Sequence, residues 1–219
     1  MGIKERQERD REAVRRAILD AARDLFVSEG YRHVSIRKIA ERIEYSPAAI
    51  YGYFPSKDDI FFALAEEGFH LLGDPAHDTD PALRALSPIE RLRAIFQHFY
   101  RFSCDHPEYF TLMFVDHSVP RISREYERFA FARELKTHLV QEVQQCIDAG
   151  QLPPTVVPFV AVRMLMVSIV GVAVLRLSDR LAPSENADAL AEDVLNVTLA
   201  GLQSGVALAS TTTDPDCHG

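Results

Sequence analysis

Apolar positions along this chain recur at intervals of three and four, the spacing of helices buried on one face. Alternating apolar and polar runs bounded by turns, which would mark strands, are nearly absent. Beyond Lys57 the pattern predicts a succession of helices. Lys57 to Leu72 is amphipathic and ends at Gly73-Asp74-Pro75, and a loop rich in Asp and Pro runs to about Pro81. Pro88 to Cys104 carries Ile89, Leu92, Ile95, Phe96, Phe99 and Phe102 on one broad face. Pro107 opens a short apolar helix, Glu108 to Val115. A long helix follows from Ile122 to Ala149, closed by Gly150 and then by Pro153-Pro154. Val156 to Ser178 and Ala187 to Ala209 complete the ordered part, and residues 210–219 read as a polar tail.

Ahead of Lys57 the elements are shorter and their ends better marked. Ser35 is placed to N-cap a helix whose apolar face is Ile36, Ile39, Ala40 and Ile43, with Arg37, Lys38 and Arg42 off that face. Ser46-Pro47 starts a second helix, Ser46 as the cap and Pro47 at the first position, where a missing N–H costs nothing. Ala48 and Ala49 allow close approach to a groove, Ile50 points to the core, Tyr51, Tyr53 and Phe54 follow, and Pro55 stops the helix. Ser56 caps a third helix with Asp58 and Asp59 in its first turn, where the helix dipole favours negative charge. Two short helices joined by a tight turn, the second with small and hydroxyl groups at its start, match a major-groove recognition element. The segment before the first helix, with Lys4, Arg6, Arg9 and Arg11 among acids, reads as a solvated terminus holding pairs such as Glu5–Arg9.

These residues resemble the DNA-binding domain of the TetR (AcrR-type) family of bacterial transcriptional regulators. The resemblance rests on Ser35, Ile39-Ala40, Ser46, Ile50-Tyr51, Phe54 through Lys57 and Asp58, and on the exit of the preceding helix, Leu25 to Ser35 (LFVSEGYRHVS). It covers about the first quarter of the chain closely, and the rest in length and helical layout. One departure stands out: the family usually has Gly-Val in the turn, and here it is Glu44-Tyr45. Glycine takes positive φ freely and glutamate does so at a cost. Tyr45 either packs in place of the small residue or reaches a phosphate.

The resemblance implies an all-α protein, with a three-helix helix-turn-helix domain over residues 1–56 and a larger helical ligand-binding and dimerisation domain over 57–209. Ser35, Arg37, Tyr45, Ser46, Pro47, Ala48, Ala49, Tyr51, Tyr53 and Lys57 would then meet DNA, with Tyr51, Tyr53 and Lys57 on the backbone. It also implies a homodimer through the last two helices and an inducer pocket between them and the reader. Phe96, Phe99, Tyr109, Phe110, Met113, Phe129, Arg163 and Met166 are the candidates for a small hydrophobic or aromatic molecule. Arg163 is singled out because a charge within an apolar helix needs a partner. The function implied is a cytoplasmic repressor of palindromic operator DNA. The alternative is a helical small-molecule binder with no DNA function.

Composition narrows the choice. Apolar content of 47% with 26% charged residues is globular, and 219 residues suffice for a sizeable core. The net charge of −8 looks wrong for a DNA binder until it is divided. Residues 1–57 hold 12 Lys/Arg against 9 Asp/Glu, and the remainder holds 12 against 23, so the positive charge sits with the reader. Cys104, Cys146 and Cys217 form no CxxC pair and suit a reducing cytoplasm, and the charged N-terminus lacks a signal core. From Val156 to Leu177 only Pro158, Arg163, Ser168 and Arg176 interrupt apolar residues, which suits a membrane span or a buried helix. The last helix favours a soluble seam, with Leu190, Val194, Val197, Gly201 and Gly205 as its stripe and the two glycines as a close-packing pair. No phosphate loop, GxSxG or HExxH is present, and Cys104-Asp105-His106 are mere sequence neighbours, so no enzyme, cofactor or metal is expected.

Overall fold

A computed structural model of the chain describes residues 2–73, 81–120, 130–208 and 210. It is all helical, with no strand among those residues. The helices are α1 (Ile3–Glu29), α2 (Ile36–Arg42), α3 (Pro47–Tyr51), α4 (Lys57–Leu72) and α5 (Pro81–Arg84). They are followed by α6 (Pro88–Asp105), α7 (Pro107–Phe110), α8 (Ala130–Asp148), α9 (Pro158–Leu177) and α10 (Ala187–Gln203). A short 3₁₀ turn at Tyr31–His33 joins α1 to α2, and α7 runs on as a π-helical turn, Thr111–Val115. The chain packs as two compact units, residues 1–71 with 106–131, and residues 72–105 with 132–219.

The first unit is built on aromatic residues from separate helices. Phe26 of α1, Phe61 of α4 and Phe110 of α7 are at most 1% exposed, and the Tyr31 ring lies 5.0 Å from Phe26 and 5.7 Å from Phe61. Helix α7 and the turn that follows it approach α4 closely at Gly68. A Cβ at that position would stand 2.3 Å from the Met113 sulfur and 3.1 Å from the Tyr109 ring. The basic residues expected ahead of the first helix lie on it, since α1 begins at Ile3.

In the second unit α6 is held on two sides. Tyr100 donates to Asp188 at 2.8 Å and Gln97 to Glu192 at 2.8 Å, and Arg93 reaches Asn196, so one edge of α6 meets α10 at successive turns. On another face, Arg91 donates to Glu142 and Gln145 of α8, each at 2.6 Å. Arg176 of α9 donates to the Ser103 carbonyl. Helix α8 ends in a Schellman turn with Gly150 at φ 69°, as its sequence predicts.

One expectation is corrected. Helix α10 stops at Gln203, not near Ala209, because the chain turns through Ser204 into Gly205 at φ 71°, whose N–H bonds the Leu202 carbonyl at 3.2 Å. Gly201 and Gly205 therefore do not share a helical face, and the expected close-packing pair does not exist. The helix expected from Ile122 is described from Ala130, and the residues before it, Phe129 among them, lie outside the described residues.

Gly68→Ala tests the α4–α7 contact. Alanine gains about 1 kcal/mol of helix propensity, and the overlap with Met113 and Tyr109 costs about 1–3 kcal/mol. Urea unfolding is expected to show a net loss of stability, which Met113→Ala in the same background partly restores.

Candidate nucleic-acid interface

Local signals place the reader. The Ser35 hydroxyl accepts the Lys38 N–H at 3.3 Å and caps α2, and the Ser46 hydroxyl accepts the Ala49 N–H at 3.2 Å and caps α3. Ser56 caps α4 by accepting the Asp59 N–H at 3.2 Å, while its hydroxyl donates to the Asp59 carboxylate at 2.6 Å. Ile39, Ala40 and Ile50 are fully buried and lock α2 against α3. The polar and aromatic residues between them are turned outward: Arg37, Tyr45, Ser46, Pro47, Ala48 and Tyr51 are exposed, as is the cap Ser35, and Ala49 is half-buried. Tyr51 is 55% exposed and Tyr45 44%, large apolar surfaces for so small a unit. Tyr53 is half-buried beneath the Arg11 guanidinium of α1, 5.9 Å from its ring centroid, and Arg15 stands 5.4 Å over Phe54.

The turn between α2 and α3 is a Schellman motif with glutamate in the glycine position. Glu44 has φ 59°, the Tyr45 N–H bonds the Ala40 carbonyl at 2.9 Å, and the Glu44 N–H bonds Glu41 at 3.3 Å. The departure noted in the sequence thus changes the cost of the turn and leaves its hydrogen bonds in place.

Lys57 has a different setting from the one its sequence position suggests. Its ammonium donates to the carbonyls of Tyr31 at 2.8 Å and Val34 at 3.0 Å and sits 4.0 Å over the Tyr31 ring. Burial lowers its pKa from the ordinary lysine value, and Asp58 opposes the shift. With two of three donors held by backbone, Lys57 pins the start of α4 to the turn before α2. Tyr31 is tied from the other side. Its hydroxyl donates to Asp58, its N–H to Asp116 at 3.3 Å, and burial followed by Asp58 raises its pKa.

Sequence reading missed a polar knot behind this surface. Arg16 of α1 donates to both oxygens of Glu67 on α4, each at 2.7 Å, and to Asp20 at 2.7 Å. Tyr109 of α7 donates to Glu67 at 2.7 Å and accepts from Arg23 of α1 at 3.2 Å. Arg16 and Asp20 are visible as an i,i+4 pair, but nothing local names Glu67 or Tyr109 as their partners.

Residues 18–64 match the bacterial regulatory proteins of the tetR family, and residues 92–198 match the tetracyclin repressor-like C-terminal domain. The chain belongs to the TetR family of transcriptional regulators. It is 46% identical over 55 residues to the HTH-type transcriptional repressor Rv1474c of Mycobacterium tuberculosis, covering 25% of this chain and 29% of that one. It is 30% identical over 129 residues to the HTH-type transcriptional regulator BetI of Rhizobium meliloti, covering 58% and 62%. The match therefore spans under a third of the first relative's length and about three fifths of the second's. Among solved structures, the fatty acid degradation regulator FadR of Bacillus halodurans aligns with a TM-score of 0.69 at 16% identity over 86% of this chain and 96% of that one, a likeness of fold. A TetR-family chain is regulatory, which agrees with the absence of catalytic motifs in its sequence.

The expected ligand residues of this TetR-family chain are divided between the two units. Tyr109, Phe110 and Met113 are buried in the first unit, and Phe96 and Phe99 in the second. Arg163, expected to be buried and paired, is exposed and lies 5.5 Å over the ring of Phe159, itself 42% exposed, while Met166 is half-buried. Two clefts of the second unit are lined by other residues. One, of about 390 Å³, lies among Gln97, Tyr100, Arg101, Cys104, Asp188 and Leu195. The other, of about 610 Å³, lies among α5, α6 and α8. None of the seven described candidates lines either cleft.

Two variants separate turn strain from DNA contact. Glu44→Gly removes a left-handed cost of about 1–2 kcal/mol and loses part of it to unfolded-state entropy. It is expected to raise stability by up to about 1 kcal/mol in thermal unfolding. Lys57→Ala is expected to lower stability by about 1–3 kcal/mol through two lost charge-assisted hydrogen bonds, with the loss present in the absence of DNA.

Proposed function

We propose that this protein is a cytoplasmic, homodimeric repressor that binds palindromic operator DNA and is released by a small hydrophobic molecule. The observation that carries the DNA reading is the outward face of α2 and α3, where Arg37, Tyr45, Ser46 and Tyr51 are exposed on a buried Ile39–Ala40–Ile50 support. Ser46 opens the recognition helix, and Tyr45 and Tyr51 flank it. Pro47, Ala48 and Ala49 offer few hydrogen bonds to base edges, so specificity rests on contact with thymine methyls, on Arg37 and on DNA shape. Arg37 is held by Glu41 at 2.9 Å with its side chain 80% exposed. Such a pair is worth about 0–1 kcal/mol and is readily exchanged for a base or phosphate. Lys57 supports the surface from behind and offers one remaining donor.

The dimer reading rests on the last two long helices. On α9, Met164, Val167, Gly171 and Leu175 are exposed along one stripe, and on α10 Val197 is 72% exposed beside half-buried Leu190, Val194 and Gly201. Helix α9 is long and apolar enough to cross a membrane, and only a minority of it is buried within the chain. A second copy covers that face and forms a four-helix seam. It also sets two recognition helices about one turn of DNA apart. A ligand in the second unit acts by binding the released state more tightly than the DNA-bound one.

Fluorescence anisotropy against DNA from upstream of the chain's own gene, over a salt series, tests the reading. Saturable binding with a steep loss at higher salt is expected. Tyr51→Ala should weaken binding to every sequence, and Arg37→Ala should also change which sequence is preferred. Wild-type affinity in both variants would remove the assigned DNA face. Val167→Glu should give a folded monomer by light scattering with DNA affinity reduced at least tenfold, and a dimer of normal affinity would move the seam elsewhere.

A further inference from the structure

The larger cleft of the second unit reverses the charge of its surroundings. Residues 72–105 and 132–219, the second unit, carry 15 acidic side chains against 9 basic ones, yet among the described residues Arg84, Arg91 and Arg101 line this cleft with Glu142 as the one carboxylate. Helix α6 brings Arg91, Ile95, His98 and Arg101 to one face, and α8 brings Leu135, His138 and Glu142 opposite. Glu142 is 5% exposed and is taken up by Arg91 at 2.6 Å. A buried carboxylate so matched contributes little free negative charge. The guanidinium of Arg101 makes no hydrogen bond or ion pair with the described residues. Gln97, His98, His138 and Gln145 add polar groups, while Leu72, Leu83, Ile95 and Leu135 give an apolar wall to a space of about 610 Å³. That size suits a ligand of drug-like dimensions, and a few polar groups converging on an apolar wall fix its orientation.

We propose that this cleft binds an amphipathic organic anion, with a carboxylate or phosphate-monoester head held by Arg84 and Arg101 and a hydrocarbon tail against Leu72, Leu83, Ile95 and Leu135. The planar guanidinium fork donates bidentately to the oxygens of either head. This rests on the ligand-responsive reading above and names the chemistry of its ligand. Leu72 is the last residue of α4, the helix that begins at Lys57, so a tail packed on Leu72 bears on the end of an element whose start is fixed in the reader.

The test is calorimetric titration of the full-length protein, free of DNA, with submicellar decanoate, decyl phosphate, decanol and decyltrimethylammonium. At least one anion is expected to bind tenfold or more tighter than the alcohol, with the cation weakest, and the better of the two anions identifies the head group. Arg101→Gln and Arg84→Gln should each weaken the anion about tenfold. Arg93→Gln, on the α10-facing side of α6, should leave it unchanged, and circular dichroism checks that all three variants fold. Equal binding of alcohol and anion, or wild-type affinity in both Arg84→Gln and Arg101→Gln, overturns the proposal. Repeating the titration in the DNA anisotropy assay separates the two readings. Arginine-dependent anion binding that leaves DNA affinity unchanged keeps the cleft assignment and removes its regulatory role.

Discussion

The first unit depends on one part-buried contact, the bidentate hold of Arg16 on Glu67 with Tyr109 sharing the same carboxylate. It joins α1, α4 and α7, elements separated by 42 to 51 residues. Its strength is not what keeps the unit folded. Arg16 and Glu67 are 39% and 32% exposed, so solvent screens the pair to about 0–1 kcal/mol. Phe26, Phe61 and Phe110, buried to within 1%, each contribute about 1.5–3 kcal/mol. Apolar burial therefore supplies the stability and the polar knot supplies register. An aromatic core tolerates sliding by part of a turn more readily than a carboxylate that must meet a guanidinium and a phenol together. Gly68 is the steric counterpart of that constraint, since it lets α7 sit where Tyr109 can reach.

The reader was legible in the sequence because its determinants are local. Ser35, Ser46 and Ser56 each cap a helix within three residues of themselves, Pro47 fixes a first turn, and Ile39, Ala40 and Ile50 repeat at helical spacing. Even the strain at Glu44 could be anticipated, because the left-handed residue of a Schellman turn is set by its position after the helix. Lys57 was not legible in the same way. Its sequence neighbours suggest an exposed cation near DNA, but the carbonyls it bonds belong to Tyr31 and Val34, over twenty residues earlier. The same limit hid Glu67 and Tyr109. Arg163 shows the opposite error, in which a charge within an apolar run was taken to be buried when the helix leaves that face open. The end of α10 was also missed, because helical periodicity runs through Gly205 and gives no sign that the backbone takes positive φ there.

Helix α9 meets a constraint from two directions. A helix apolar on nearly every side must hide more surface than one neighbour can cover, and within this chain α6 and α10 cover only part of it. Lipid would satisfy the apolar surface, but Arg163 and Arg176 sit inside the segment, where charge is expensive. Arg176 donates to the Ser103 carbonyl of α6. The proposed second copy would cover the same surface, and Arg163 lies beside the stripe against the exposed Phe159 ring. The proposed seam would also account for the exposure of Val167 and Val197.

Charge follows a division of labour that the net value conceals. The reader needs positive potential only where phosphates approach, and an acidic body keeps nonspecific DNA away from the remainder. Against that acidic background a cluster of arginines at a half-apolar cleft acquires meaning it would not have on a basic protein. Repulsion from the 15 carboxylates of residues 72–105 and 132–219 raises the cost of bringing any anion near the second unit, so a site selective for anions must supply its own local field. The proposed site would draw it from Arg84 and Arg101, while Arg91 donates to Glu142 and Gln145 of α8. Of the aromatic residues that sequence alone marked for a ligand, Phe96 and Phe99 line neither of the two clefts. Phe96 and Phe99, on the same helix as the cleft arginines, are buried and fix α6 in place. Recognition and packing thus use different faces of one helix, and only the packed face announces itself as an apolar period.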